Sequence, residues 1–245
     1  MKIFSTKEFD DSEYFDKHII FICDHASFKI PKKFDNLGLT DEHLKSHIGW
    51  DIGAKEIAVT LAKKLRQSIF MSNYSRLLID LNRNINSKSL VVSKSFGIVI
   101  PMNKGLSARK KKDRIEKYYE PYHKELSKFI LKKQNQYKKI YLVSIHSFTK
   151  QGKLFNRGPS FGLLHGKNIN LFLLLRKFLI TKNVHFGCNY PYSGHFYNYT
   201  LDRASKQGIT DNLCVEIRND LICCKKGITY YSKILHDTFF RILNE

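Results

Sequence analysis

YLVSIHSF, residues 141–148, is an apolar run that stops at a histidine followed by a small hydroxyl residue. A run of this length, bounded by polar residues, predicts a buried strand. Such a strand delivers His146 to the rim of a sheet, where open α/β sheets place their ligands.

Upstream, IIFIC at residues 19–23 is a second apolar run, and Asp24, His25, Ala26 and Ser27 follow it directly, with Pro31 setting the exit. Downstream, CVEI at residues 214–217 predicts a third buried strand, with Glu216 at an otherwise apolar position. Helical patterns lie between. Thr40 and Asp41 open a short one to about His47. Trp50, Asp51, Ile52 and Gly53 introduce another, whose apolar face is Ala54, Ile57, Ala58, Leu61, Ala62 and Leu65. Ser107 predicts the cap of a basic helix reaching Lys133, kinked at Pro121, whose ARKKKDR start opposes the helix dipole. Residues 169–179 predict a buried helix, 199–206 a further helical turn and 228–243 a closing helix, with short strands at 69–71, 98–100, 160–164 and 184–187. The alternation of strands and helices argues an α/β layered sheet, read as one domain over residues 1–245.

Residues 75–84, SRLLIDLNRN, predict a strand or a strand plus loop, interrupted by Arg76, Asp80 and Arg83. Charges in a buried segment are tolerated when they are paired or face a ligand.

Lys and Arg total 42 against 22 Asp and Glu, a net charge of +20. An excess this large attracts polyanions at low salt, but the lysines fall mostly on the polar faces of expected helices, so the basicity reads as composition more than as a selected binding face. A hydrophobic fraction of 42% excludes a disordered chain. The five cysteines are odd in number and sit at strand-like positions, which predicts reduced core thiols in a reducing compartment. Acidic residues occupy the N-terminal stretch where a signal peptide needs an apolar core, and no run approaches membrane-spanning length, so the expectation is a soluble cytoplasmic protein.

His25, Asp51, His146 and Glu216 each stand at the edge of a strand or helix. Two imidazoles and a carboxylate make a three-ligand zinc site with an open position, and a further carboxylate serves as general base. A bland reading stands beside this one: two satisfied buried histidines, Asp51 as a helix N-cap, and Glu216 paired with Arg218. Spacing does not choose between them.

FICDHASFKIP, HIGWDIGAKEIAVTLAKKL, YSRLLIDLNRN, PYH, SIHSFT, NYPYSG and CVEIRNDLI, in that order, resemble the N-formylglutamate amidohydrolase family over residues 21–222. The resemblance implies a fold like that of the zinc carboxypeptidases, in the phosphorylase/hydrolase-like class, with a central mixed β-sheet and helices on both faces. It implies one zinc ion per chain held by His25, Asp51 and His146, with Glu216 as the catalytic carboxylate. The reaction implied is hydrolysis of an N-formyl or N-acyl amide of an acidic amino acid, a catabolic step giving formate and the free amino acid. The partner is then a small acidic N-acyl amino acid, with no specific nucleic acid and no membrane. Arg76, Arg83, Arg157 and Arg218, together with Asn84, are the candidates for binding it, because a guanidinium holds a carboxylate in a two-bond fork. For Arg76 and Arg83 a structural ion pair with Asp80 is the competing reading.

Lys150, the NRGPSF loop and Arg203 depart from the family pattern and bear on the substrate. Two other readings compete with this one, a basic protein binding nucleic acid or another anionic surface, and an amidase for a different peptide amide.

Overall fold

The computed structural model describes residues 2–9, 16–152, 156–206, 208 and 211–245. Its strands are β1 (Phe4–Glu8), β2 (Lys17–Cys23), β3 (Ser68–Ser72), β4 (Lys94–Ser95), β5 (Ile98–Val99), β6 (Lys139–Phe148), β7 (Phe161–Leu164), β8 (Gly187–Cys188) and β9 (Asn212–Arg218). The helices are α1 (Asp41–Lys45), α2 (Ala54–Lys64), α3 (Ala108–Arg114), α4 (Glu120–Gln134), α5 (Asn170–Thr181), α6 (Gly194–Tyr197), α7 (Tyr199–Ser205) and α8 (Lys225–Asn244).

A mixed sheet runs in the order β1-β3-β2-β6-β9-β7-β8. Its centre, β3, β2, β6 and β9, is parallel, while β1 joins β3 and β7 joins β9 antiparallel, and β8 lies parallel to β7. β4 and β5 form a separate hairpin. The central strands are buried on both faces, which is why they read as continuous apolar runs instead of alternating ones.

Side-chain parity assigns the two faces. Ile19, Phe21, Val143, Ile145, Val215 and Ile217 pack with α2, α5 and α8, whereas Ile20, Ile22, Leu142 and Cys214 pack with α4, α7 and the segment after β3. His146 and Glu216 continue the second set along β6 and β9. Because β2, β6 and β9 are parallel, their carboxyl ends lie together, and that end carries the chemistry.

Several sequence expectations change in detail. Residues 75–84 form no strand: they are a turn-rich segment with Leu77, Leu78, Ile79 and Leu81 buried. Side chains take over the hydrogen bonding that a sheet ladder would supply, with Asn103 Nδ2 donating to Leu77 O (2.9 Å), Arg114 Nη1 to Leu78 O (2.8 Å) and His123 Nε2 to Leu81 O (3.1 Å). The basic helix is broken by a π-helical turn, Ile115–Tyr119, just ahead of Pro121, whose missing N–H cannot continue the ladder. Cys23 and Cys214 are the buried thiols, but Cys188, Cys223 and Cys224 are exposed, because they fall on a two-residue edge strand and at the start of α8. The expected loop at 149–159 lies partly outside the described residues. No described helix is long and apolar enough to cross a membrane.

Candidate active site

His25 leaves the end of β2 in a turn, and Asp51 stands just before α2, its backbone N–H donating to His25 O at 3.0 Å. Gly53 lets the start of α2 lie against Ile222, with φ of 79° and a position where a Cβ would lie 2.2 Å from Ile222 O. His146 comes from β6. His25, Asp51 and His146 are each at most 3% exposed, and one donor atom from each lies within 4.8 Å of the others.

Asp51 Oδ2 is the hub, 2.7 Å from His146 Nδ1, 3.3 Å from His25 Nδ1 and 3.3 Å from the Ser147 N–H that donates to it. The far nitrogens face carboxylates. His25 Nε2 donates to Asp80 Oδ1 at 2.8 Å, and His146 Nε2 lies 3.7 Å from Asp24 Oδ2. A carboxylate can only accept, so each His25 nitrogen has to donate to the carboxylate it faces unless a cation lies between them. Carboxylates behind the imidazoles fix ring orientation in the way that metal sites require.

The electrostatics describe a place for a cation. Burial would lower the pKa of His146, but Asp24 and Asp51 outweigh burial and raise it to about 10. Burial alone would raise Asp51, yet His25 and His146 hold it well below the usual carboxylate range. Asp80 is likewise depressed against its burial by His25 and Arg76. A proton on His146 thus supplies positive charge to a cluster of buried carboxylates, a task a divalent ion performs with the same donor set.

Glu216 lies beside this set, 7% exposed, and its Oε2 is buried without a hydrogen-bond partner among the described residues. Burial, with Asp51 adding to it, raises its pKa to about 7 although His146 opposes the shift. A carboxyl group poised there is suited to accept and return a proton near neutral pH. The same chamber, of about 120 Å³, is walled by Arg76, Arg83, Tyr192 and Tyr197.

The remaining candidates separate. Arg76 spans Asp51 Oδ1 (3.3 Å) and Asp80 Oδ2 (3.1 Å), bracing both carboxylates. Arg83 is 4.0 Å from Asp80, donates to Asn82 O and stacks on Tyr197, leaving it the freer of the two. Arg157 is not among the chamber's lining residues; it donates to Thr149 O and stacks on Tyr192, which is. Arg218 is not among the chamber's lining residues, and its Nε donates to Asp220 at 2.7 Å, so the pairing with Glu216 is absent. Asn84 is exposed and accepts from the Asn86 N–H in its own turn. Asn82 lines the chamber instead, bonding Tyr197 O and the Thr200 N–H. Arg203 pairs with Glu120 on α4.

Sequence reasoning passed over Asp24, His47, Tyr192 and Tyr197. Asp24 is adjacent to His25, His47 lies inside HIGWDIG and Tyr192 inside NYPYSG, whereas Tyr197 belongs to none of the segments that carry the resemblance. Tyr122 Oη donates to Asp24 Oδ1 (2.8 Å) and Tyr119 Oη to Arg83 O (2.7 Å), so the helix carrying the PYH motif supports the site from behind.

The family model described as N-formylglutamate amidohydrolase matches residues 17–223. No curated protein matches the chain. Among solved structures, a gene product of Agrobacterium tumefaciens is 29% identical, with a TM-score of 0.89 over 100% of this chain and 96% of that one. An N-formylglutamate amidohydrolase from Ralstonia eutropha is 17% identical, with a TM-score of 0.75 over 100% and 98%. A bacteriophage poly-gamma-glutamate hydrolase is 12% identical, with a TM-score of 0.50 over 98% and 89%. The last two are likenesses of fold.

Proposed function

Because this chain belongs to the N-formylglutamate amidohydrolase family, we propose that it hydrolyses the N-formyl amide of an acidic amino acid, N-formylglutamate or a close relative, to formate and the free amino acid. The observation that carries the proposal is the donor set of His25, Asp51 and His146 with the unpartnered Glu216 Oε2 in the same chamber.

Two imidazoles and a carboxylate, each imidazole facing a second carboxylate, fit zinc, which as a Lewis acid would acidify a water and polarise the acyl carbonyl. Glu216 takes the proton of the attacking water and passes it to the departing amine, so one carboxyl group serves as base and then as acid. Arg83 holds a substrate carboxylate, and Arg157, stacked on Tyr192, takes a second one. Arg76 keeps Asp51 and Asp80 oriented, which makes its first role that of positioning. Tyr192 and Tyr197 narrow the chamber and limit water.

The test is metal analysis of the purified chain with hydrolysis of N-formylglutamate measured before chelation, after it, and after zinc is returned. One zinc per chain and activity that follows the metal are expected. Full activity without metal, or none with it, would overturn the proposal.

A further inference from the structure

Beside the metal chamber lies a second one of about 140 Å³, and the two share His47, Arg76, Arg83 and Tyr192 as common wall. Away from that wall, Ile48, Leu77, Val92 and Phe96 supply its apolar lining, with Asp80, Ser89 and Ser95 as the polar part. The volume falls below the roughly 300–1,000 Å³ that encloses drug-sized ligands, so it suits one side chain.

Phe96 breaks two local rules at once. It sits at the tip of the β4 and β5 hairpin, where it and Gly97 have φ of 46° and 84°. Two-residue turns with both φ positive favour Asn or Asp followed by Gly, and an aromatic side chain there carries backbone strain. It is also 65% exposed, although its ring reaches His47 with centroids 6.2 Å apart. A separate hairpin with two paired rungs is marginally stable on its own, so this element can move at little cost. Strain and exposure of an aromatic residue coincide at the mouth of a chamber continuous with the site.

Resting on the hydrolase reading above, we propose that this second chamber takes the side chain of the substrate's amino acid, and that Phe96 closes over its methylenes and determines specificity. The N-acyl group lies in the metal chamber, Arg83 on the shared wall takes the side-chain carboxylate, and Ile48, Leu77 and Val92 meet the aliphatic stem.

The experiment uses the full chain as purified, with N-formylglutamate and N-formylglycine as probes, the latter lacking a side chain. Hydrogen exchange at the hairpin amides should slow with N-formylglutamate and not with N-formylglycine. The ratio of kcat/KM for N-formylglutamate over N-formylglycine should fall about tenfold or more in Phe96→Ala, and Phe96→Leu should recover part of it. Equal protection by both ligands, no protection by either, or an unchanged ratio would overturn the inference. Protection by N-formylglutamate without turnover would sink the hydrolase reading and leave the chamber's role standing, whereas turnover with an unprotected hairpin would do the reverse.

Discussion

His146 and Glu216 are register partners across the parallel pair β6 and β9, so the candidate metal ligand and the candidate proton carrier are neighbours on one face of one sheet. Each came from a different apolar run, and the pairing makes them a unit.

Replacing Glu216 by Gln removes the proton acceptor while keeping the side chain's size. kcat on N-formylglutamate should fall by roughly 10²–10⁴-fold, while metal content stays at the wild-type level. Loss of metal together with activity would instead mean that Glu216 belongs to the ligand set.

Asp80 orients His25 through the 2.8 Å bond to Nε2. Asp80→Asn should weaken metal affinity by about 10–100-fold, measured by competition with a calibrated chelator. Zinc should raise the melting temperature of the wild-type chain more than that of the variant at equal concentration, since a ligand of the folded state stabilises with the logarithm of its affinity.

Gly162 is the register partner of Glu216 across β7 and β9, and a Cβ there would lie 2.0 Å from Tyr190 O. Gly162→Ala must displace the loop that carries Tyr192. A loss of about 1–3 kcal/mol in denaturant unfolding is expected, accompanied by a raised KM, because Tyr192 lines both chambers.

His123 is buried, and burial pulls its pKa down to about 4 from 6.5, helped by Arg203. The unfolded chain therefore binds this proton more readily, so the group's stabilisation is complete above pH 6.5 and is lost as pH falls toward 4. The gap corresponds to roughly 3 kcal/mol at most. Urea unfolding of the wild type should lose stability over that window, and His123→Gln, which keeps a donor for Leu81 O, should lose less. Parallel pH curves for the two proteins would contradict this account.

The central strands β2, β6 and β9, the positions of His25, Asp51, His146 and Glu216 at element edges, and the helices on either side were legible in the sequence because they are local, whereas β1 and β4 were not expected and the strand expected at 184–187 is only Gly187–Cys188. An apolar run, its stop and a 3.6-residue stripe are written within some ten residues of one another. Residues 75–84, expected as a strand or a strand plus loop, form turns instead because their backbone partners, Asn103, Arg114 and His123, lie far along the chain. The division of labour among the arginines was open for a different reason: Asp80 and Asp220 lie within four residues of Arg76 and Arg218, but which neighbour each guanidinium takes depends on where the fold turns its side chain. Arg76 is turned onto Asp51 and Asp80, Arg218 onto Asp220, and Asn82 rather than Asn84 faces the chamber. Sequence by itself determined which groups reach the carboxyl edge of the sheet. Only the tertiary structure decided which of them meet, because a charge buried there must find its partner in space, and that partner comes from whichever distant segment the fold lays beside it.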